Sequence, residues 1–347
     1  MRRIAGITLG LALAGAVMAQ DFAPLPAEDA ALAAIDERPL VREALAMRAA
    51  ADARAEALSV GTHEFVVGGG WHQRDVDGEG SFDEWEATLA RGVRWPGKAR
   101  IDRDLGNLEI EAAENALADA RHGEALGLLD AWFGWLRAEA IARRDHTRAD
   151  ALERTVVAVR RQAEVGEASQ MQLELAESES ARATAVSSRS GIAARQARHA
   201  LQMAYPALDV PLQPPEVPAP TAPDRALEDW PAVVLERSHE LRLAAIDEQR
   251  ARLQATRAST DRWPDPVIGI RMLNERDGAE DAVGLTLALP LPGRHRSALA
   301  AQSRQEAEAA AARLESRRRG ITAIARQDVA EVTGALAASP AMQNAGA

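Results

Sequence analysis

The stretches RWPGKAR (94–100) and PLPGRHR (290–296) decide the interpretation of this sequence, because the same pattern occurs twice. In each, a Pro-Gly pair is followed by a basic residue and, two positions later, by a second basic residue. The two stretches lie 196 residues apart in a chain of 347. Proline and glycine punctuate the ends of regular elements. The spacing therefore predicts a duplicated unit with the same element boundary in each half.

A period-two pattern precedes each Pro-Gly pair. WEATLARGVRW (85–95) and AVGLTLALPL (282–291) alternate large apolar residues with small or polar ones. This alternation is typical of a strand whose two faces meet different surroundings. An upstream partner precedes each strand, EFVVGGGW (64–71) and DPVIGIRM (265–272). Strands of about ten residues also suit a tilted crossing of a bilayer.

Polar, acidic segments separate the partners at 74–84 and 274–281. Glycine and aspartate cluster in both segments, as they do where a chain reverses direction. Each half is thus predicted to carry one long β-hairpin, over 64–95 and 265–291.

The segment 97–205 contains no proline and is dominated by Ala, Leu, Glu and Arg, which favour helices. Its main interruption is VGEAS (165–169), where Gly166 can end one helix and Ser169 can cap the next. The segment is therefore predicted to form a long helical hairpin whose first arm is about 100 Å long. A helix is also predicted over 225–258, ahead of the second hairpin.

The first residues form a short positive segment, an apolar run and small residues that end at Ala19. This pattern predicts a secretory signal peptide cleaved after Ala19. A membrane anchor is the alternative, although the apolar run is short for a bilayer span. The predicted organisation is a signal peptide (1–19), a first repeat (20–205), a Pro-rich connector (206–224), a second repeat with an incomplete long helix (225–336) and an irregular tail (337–347).

Composition excludes several classes of protein. The formal net charge is -11, which argues against a nucleic-acid-binding protein. No cysteine is present, so the sequence offers no disulfide framework and no thiolate metal site. No phosphate-binding loop, nucleophile elbow or paired catalytic carboxylates stand out, and the seven histidines lack metal-ligand spacing. The sequence therefore predicts no enzyme, no cofactor and no metal site.

Other polar residues have two interpretations each. His63 and His72 flank one strand and either line a lumen or are ordinary interface residues. Glu174, Glu177 and Glu179 follow the interruption at 165–169 and form either a cation-attracting surface or a solvated helix face. A further set either contacts lipid headgroups or lines the boundary between strands and helices: Arg91, Arg94 and Lys98.

Two hairpins supply only four strands, which would leave unpaired sheet edges. A closed membrane barrel needs at least eight strands, so three chains with twelve strands would close one. Four tryptophans are predicted at strand ends, where they would form a membrane girdle: Trp71, Trp85, Trp95 and Trp263. A soluble β-meander with tryptophan in its core is the alternative.

The order of these elements resembles a TolC-type outer membrane efflux protein of the heavy-metal and drug efflux branch. The residues that carry the resemblance are the paired hairpins, WPGKAR (95–100), LPGRHR (291–296) and VGEASQMQLELAESESARA (165–183). The resemblance implies an α+β membrane channel with a long α-helical coiled-coil barrel. It also implies four β-strands per chain in a trimeric 12-stranded transmembrane β-barrel.

The resemblance implies a passive conduit in the outer membrane that extends into the periplasm. Its implied partners are two further copies of the chain, a periplasmic adaptor (membrane fusion) protein, an inner-membrane transporter and outer membrane lipid. The strand-to-helix junctions would be Pro96-Gly97 and Pro292-Gly293. The adaptor-docking tip would be formed by Val165, Gly166, Glu167, Ala168 and Ser169.

The two halves are unequal, since a second tip at the same spacing would fall beyond Ala347. This inequality raises a second interpretation, a truncated and nonfunctional remnant of such a channel. A third is a periplasmic coiled-coil adaptor, which would also contain a long helical hairpin. The alternating strands with tryptophan at their ends argue against the third.

Overall fold

The computed structural model describes residues 25–218, 223 and 225–345, with the backbone alone for 339–345. The predicted signal peptide lies outside the described residues, as does part of the connector. The elements are α1 (Glu28–Asp36), α2 (Pro39–Val60), β1 (Phe65–Val76), β2 (Gly80–Gly92), α3 (Lys98–Glu164), α4 (Gln170–Ala204), α5 (Trp230–Arg237), α6 (His239–Thr260), β3 (Val267–Glu275), β4 (Glu280–Ala288) and α7 (Arg294–Ala345). Short 3-10 turns occupy Leu227–Asp229 and Arg276–Gly278.

The arms of the long helical hairpin begin and end within one residue of the predicted positions. Helix α3 starts directly after Gly97, and α4 starts directly after Ser169. The Ser169 hydroxyl accepts a hydrogen bond from the Gln172 N–H at 3.2 Å, and the Gln172 side chain accepts the Ser169 N–H at 2.7 Å. This reciprocal capping box satisfies two helix donors. Gly166 has φ +82°, a conformation that glycine adopts without a steric penalty.

The single helix predicted over 225–258 is wrong, because α5 and α6 are separate helices with a break at Ser238. Ser238 has extended backbone angles, and its side chain accepts the Leu241 N–H at 3.1 Å. Serine favours this N-cap position because its hydroxyl satisfies a donor that the helix leaves free.

The four strands form one antiparallel sheet in the order β1-β2-β3-β4. The β2–β3 ladder joins the two predicted hairpins, with Trp85 opposite Asn274 and Gly92 opposite Val267. Strands β1 and β4 each have a neighbour on one side only within the described chain.

Strands β1 and β2 are longer than the sequence pattern predicts, whereas β4 ends at Ala288, before the predicted end at residue 291. Pairing of β1 with β2 continues to Val76 opposite Gly80, so the predicted loop 74–84 shrinks to a turn over 77–79. Gly78 has φ +84° in this turn. Polar side chains do not prevent pairing here. The hydrogen bonds of the ladder join backbone N–H and C=O groups, which every one of these residues has.

The chain divides into two compact units that do not coincide with the two repeats. One contains residues up to Arg38 and the stretch Gly123–Pro220. The other contains Pro39–His122 and the stretch from Thr221 onward, including the whole sheet. Helix α3 contributes residues to both.

In the first unit, four apolar residues that recur at helical spacing on α3 are buried, namely Leu128, Trp132, Trp135 and Leu136. The Trp132 and Trp135 rings lie edge to face at 5.2 Å, and both are almost fully buried. The end of α4 is held by Arg38, which donates to the Ala204 carbonyl at 2.6 Å and lies over the Tyr205 ring. Burial raises the pKa of the Tyr205 phenol.

The irregular tail predicted over 337–347 is wrong as far as residue 345, because α7 continues to Ala345. The alanines at 335, 337 and 338 are strong helix formers, and they carry the helix into this segment. Across the described residues, no helix combines the length and hydropathy that a membrane span requires.

Two glycines of α3 provide a matched test of helix packing. A Cβ at Gly106 would lie 3.0 Å from the Ala55 Cα, whereas a Cβ at Gly123 would meet nothing within 4 Å. We expect Gly123→Ala to stabilise the chain by up to about 1 kcal/mol, because glycine costs a helix this much relative to alanine. Gly106→Ala should instead destabilise it, by about 1 kcal/mol or more, since α2 must move away. Denaturant unfolding of both variants checks the prediction, which fails if the two changes have the same sign.

Candidate functional site

The sheet has one apolar face and one polar face. Cross-strand rows of the apolar face include Val67, Leu89, Ile270 and Leu285. Its side chains are unusually exposed for their type, and Leu285 is 85% exposed. The full set of large apolar residues on this face is Phe65, Val67, Trp71, Trp85, Leu89, Ile268, Ile270, Met272, Val283, Leu285 and Leu287. An exposed apolar surface of this extent marks an interaction with lipid or another protein.

The opposite face carries mainly small, polar and charged residues, with a few apolar ones such as Val66. One of its rows contains Gly68, Thr88, Arg271 and Gly284. The neighbouring row places Glu86 beside Arg271, and the two side chains form an ion pair. Because residues alternate between the faces, the sequence pattern predicted this division correctly.

The apolar face ends sharply at Trp71 and Trp85, which lie directly opposite each other. The prediction that these two tryptophans lie at strand ends is wrong, since each strand continues five residues beyond them. The next row of this face toward the turn is Gln73 opposite Asp83. The ladder therefore extends past the apolar band, and the tryptophans mark the edge of that band rather than the edge of the sheet.

Trp95 and Trp263 mark the other edge of the band. They follow β2 and precede β3, and their rings stack with centroids 6.4 Å apart. Ten residues separate Trp85 from Trp95. At about 3.3 Å per residue, the apolar band would be about 25 Å high if the strands had the tilt of about 40° that is typical of outer-membrane barrels. Outer-membrane barrels have an apolar band of about this height.

A charged network occupies the first strand-to-helix junction, directly after Pro96 and Gly97. The Lys98 side chain is 1% exposed, and its Nζ lies 2.8 Å from both Asp261 Oδ1 and Asp265 Oδ1. Asp265 Oδ1 also accepts the Trp95 N–H at 2.8 Å. Lys98 therefore ties the start of α3 to the segment that connects α6 with β3.

A second part of the network surrounds Asp102, one turn further along α3. Its carboxylate accepts Arg94 at 3.0 Å and Arg257 at 2.6 Å. Arg257 also pairs with Asp261, and Arg94 donates to backbone carbonyls at the end of α2. These bonds hold the last turns of α2 and α6 against the first turns of α3.

The network shifts the pKa values of its members. Burial raises the pKa of Asp265, but hydrogen bonds from Lys98 and from the Trp95 N–H outweigh burial and hold it below the ordinary value. Burial lowers the pKa of Arg257, yet its hydrogen bonds to Asp102 and Asp261 raise it overall. The charged forms of both groups are thus stabilised by the fold.

The second junction has the same position relative to its helix. Pro292 and Gly293 directly precede α7. Arg296 Nη1 donates to the Asp261 carbonyl at 3.0 Å and so satisfies a carbonyl near the end of α6. Gly97 has φ +94°, so the first junction needs glycine for its backbone conformation.

The predicted tip forms the turn between α3 and α4. The N–H groups of Glu167 and Ala168 both donate to the Gln162 carbonyl, at 2.8 and 3.3 Å. Val165 is 71% exposed. Sequence reasoning missed two apolar residues at the start of α4, Met171 and Leu175, which are also exposed. Their spacing of four residues on a polar helix was the available signal.

The remaining candidates have ordinary partners. The side chain of His63 lies 3.3 Å from Asp265, and that of His72 lies 3.1 Å from Glu84. The three glutamates of α4 each have a polar partner. Glu177 pairs with Arg160, Glu179 pairs with Arg182, and Glu174 accepts a hydrogen bond from Gln170. Within the described residues, no three or more His, Asp or Glu side chains lie close enough together to hold a metal ion.

Three basic residues were expected to contact lipid headgroups or to line the boundary between strands and helices. Two of them lie at that boundary. Arg94 and Lys98 are bound within the network, while Arg91 is exposed on the apolar face. Sequence reasoning missed the carboxylates Asp102, Asp261 and Asp265. Each is an unremarkable polar residue in sequence, and only the approach of distant segments makes the network.

We expect Lys98→Met to lower the free energy of unfolding by about 3 kcal/mol, because it leaves Asp265 largely buried without its cation. Adding Asp265→Asn should recover part of this loss by removing the uncompensated charge. Arg319→Met breaks a pair that is exposed on both sides, and it should change stability little. Denaturant unfolding measures all three. Equal effects of Lys98→Met and Arg319→Met would contradict a structural role for the network.

The lowered pKa of Asp265 also predicts a pH dependence. Its contribution to stability is fully present above the ordinary value of 3.8 and is lost as pH falls through the lower value of the folded state. Below about pH 4, the unfolding free energy of Asp265→Asn should therefore fall less steeply than that of the unchanged chain. Unfolding at several pH values between about 2 and 6 checks this, and parallel curves would refute it.

Comparison with known proteins gives a consistent result for the fold. No family model matches the sequence, and no curated protein matches it. Among solved structures, the outer membrane protein VceC of Vibrio cholerae superposes with a TM-score of 0.65 and 16% identity, over 91% of this chain and 79% of VceC. The Campylobacter jejuni CmeC outer membrane channel gives 0.66 and 12%, over 91% and 74%. The open state of the Neisseria gonorrhoeae MtrE outer membrane channel gives 0.62 and 14%, over 91% and 74%.

The neighbours are described as outer membrane proteins or channels, and none of these descriptions names an enzyme. They share the long helices and the four strands per chain that the sequence predicts. This chain therefore has the fold of the TolC-type outer membrane channels.

Proposed function

We propose that this chain is one protomer of a trimeric outer membrane channel, a passive conduit for export of small molecules or metal ions in a tripartite efflux system. The observation that carries the proposal is the apolar face of the sheet, about 25 Å high and bounded by tryptophans. Its height and its exposed aliphatic residues suit a hydrocarbon layer. The similarity to outer membrane channels supports the same assignment.

The proposal of three copies rests on the unpaired edges of the sheet, strands β1 and β4. In a bilayer, an open sheet edge leaves backbone groups without partners at a cost of several kcal/mol each. Pairing of β4 with β1 of the next copy would remove every edge, and three copies would supply twelve strands. The polar face, with Thr88, Glu86 and Arg271, would then line the lumen.

The partners of the proposed channel are an adaptor protein and an inner-membrane transporter, with outer membrane lipid around the sheet. The turn at Val165–Ser169 is the proposed adaptor-docking tip, because it is exposed and its geometry is held by the capping box at Ser169. Met171 and Leu175 extend this surface along α4 and would add apolar contact area. The helical part of the chain would extend into the periplasm.

The fold favours a channel over the two alternatives. A coiled-coil adaptor has no use for a sheet with an exposed apolar face. The interpretation as a nonfunctional remnant rests on the unequal halves, whereas the similarity to outer membrane channels over 91% of this chain supports a channel.

The experiment isolates the outer membrane fraction, cross-links it and compares heated with unheated samples on a gel, followed by conductance in planar bilayers. We expect a heat-labile trimer that conducts ions. A monomer confined to the soluble periplasmic fraction would contradict the proposal.

Neighbouring residues of β4 supply a matched pair of variants for this experiment. Leu285 lies on the apolar face, while Gly284 lies on the polar face, where a Cβ would meet nothing within 4 Å. We expect Leu285→Arg to reduce the membrane trimer strongly, since a charge near the bilayer midplane costs about 2–4 kcal/mol. Gly284→Arg should leave the trimer intact and alter conductance. Equal trimer yields of the two variants would mean that the apolar face does not contact lipid.

A further inference from the structure

One rim of the apolar face carries arginines that form no ion pair within the described residues. This helix-side rim consists of the Trp95–Trp263 stack together with Arg91, Arg262 and Arg294 from the adjoining segments. Trp95 and Trp263 are 41% and 63% exposed, so the stack is open to its surroundings. Tryptophan at such a position presents an apolar body to hydrocarbon and an N–H group to the polar layer.

Arg91 is directed from the apolar face toward this rim. It lies opposite Phe65 in the ladder, its guanidinium is 4.9 Å from the centre of the Phe65 ring, and it donates to the His63 carbonyl at 3.0 Å. Since His63 precedes β1, this bond draws the charge toward the helix side. A long cationic side chain in a bilayer behaves in this way, with its stem in the apolar layer and its head at the interface.

Arg262 and Arg294 lie at the start of the helical part. Arg262 is exposed, directly precedes Trp263 and donates to the Ser259 carbonyl at 3.1 Å. Arg294 is exposed and begins α7. The bond from Arg296 to the Asp261 carbonyl holds the start of α7 against the segment that contains Arg262.

Three carboxylates of this region are already engaged. Asp261 and Asp265 bind Lys98, and Asp102 binds Arg94 and Arg257. In the described part of the chain, none of the three rim arginines has a carboxylate within salt-bridge distance. Their charge is therefore directed outward rather than neutralised by the fold.

The other end of the sheet has the opposite character. Arg74 pairs with Glu84 at 2.6 Å, and Arg276 pairs with Glu79 at 3.2 Å. The segments 72–84 and 274–281 contain nine carboxylates and only these two arginines. The two ends of the apolar band thus differ in charge, with free cations on the helix side and an excess of anions on the hairpin side.

We infer that the helix-side rim binds anionic phospholipid headgroups through Arg91, Arg262 and Arg294, an inference that rests on the membrane position proposed above. A guanidinium donates two parallel hydrogen bonds to phosphate oxygens, and the tryptophan stack contacts the glycerol and upper acyl region. Basic residues near an anionic lipid surface each contribute about 1 kcal/mol, roughly a fivefold preference. Because these arginines lie only at the helix-side end of the apolar band, they would bind lipids of the leaflet on that side.

Quenching of tryptophan fluorescence by brominated lipid tests this inference with the full chain in vesicles. The probe lipids are brominated phosphatidylglycerol and brominated phosphatidylcholine, mixed into phosphatidylcholine vesicles. We expect the unchanged chain to prefer the anionic lipid, and this preference should weaken in high salt. Arg262→Gln with Arg294→Gln should reduce the preference by about fivefold for each arginine removed.

Two controls keep the test specific. Arg262→Lys with Arg294→Lys retains the charge and should retain most of the preference. Arg189→Gln with Arg195→Gln removes the same charge from the exposed surface of α4 and should leave the preference unchanged. Every variant keeps all seven tryptophans, so differences report lipid contact.

Equal quenching by both lipids in the unchanged chain would overturn the inference, as would an unchanged preference in the double glutamine variant. In both cases, quenching by phosphatidylcholine would still support the membrane position. Absence of quenching by either lipid would contradict the membrane position and, with it, the headgroup site.

Discussion

The two edge strands of the sheet impose the constraint on which the rest of the structure depends. A four-stranded sheet with an apolar face cannot remain open in hydrocarbon, because the backbone groups of β1 and β4 have neighbours on one side only. The same face cannot remain in water, since its aliphatic residues are largely exposed. In the proposed channel, closure with further copies of the chain in a membrane solves both problems. On this proposal, the sheet determines both the oligomeric state and the location.

The strand-to-helix junction follows from this constraint. Strands of a closed barrel are tilted, and the helices that continue from them must keep a fixed direction. Gly97 allows the change of direction through a positive φ. The network around Lys98 and Asp102 then holds the ends of α2 and α6 against the start of α3. Buried ion pairs are weak evidence for stability, but they penalise any arrangement that separates the partners. A network that joins segments far apart in sequence therefore fixes the geometry of the junction.

The sequence predicted the elements whose signals are local. Period-two alternation identified the strands, and Gly166 with Ser169 identified the turn between α3 and α4 to the residue. Local signals failed at the polar ends of β1 and β2. The polar side chains there predicted a loop, but the backbone groups continue the ladder. They also failed at Ser238, where one hydroxyl divides two helices. The junction network was beyond sequence reasoning, because Lys98 and Asp265 become partners only after two hairpins pair through β2 and β3.

The tryptophans show why strand length and membrane thickness must be distinguished. Trp71 and Trp85 lie inside their strands, yet the apolar face stops at their row and becomes polar at Gln73 and Asp83. Hydrogen bonding sets where a strand ends, whereas hydrocarbon sets where its outer side chains must be apolar. The two limits lie closer together on the helix side, where Trp95 follows the last residue of β2 by three positions. They separate by five residues on the hairpin side, so the ladder continues there as a polar extension beyond the apolar band.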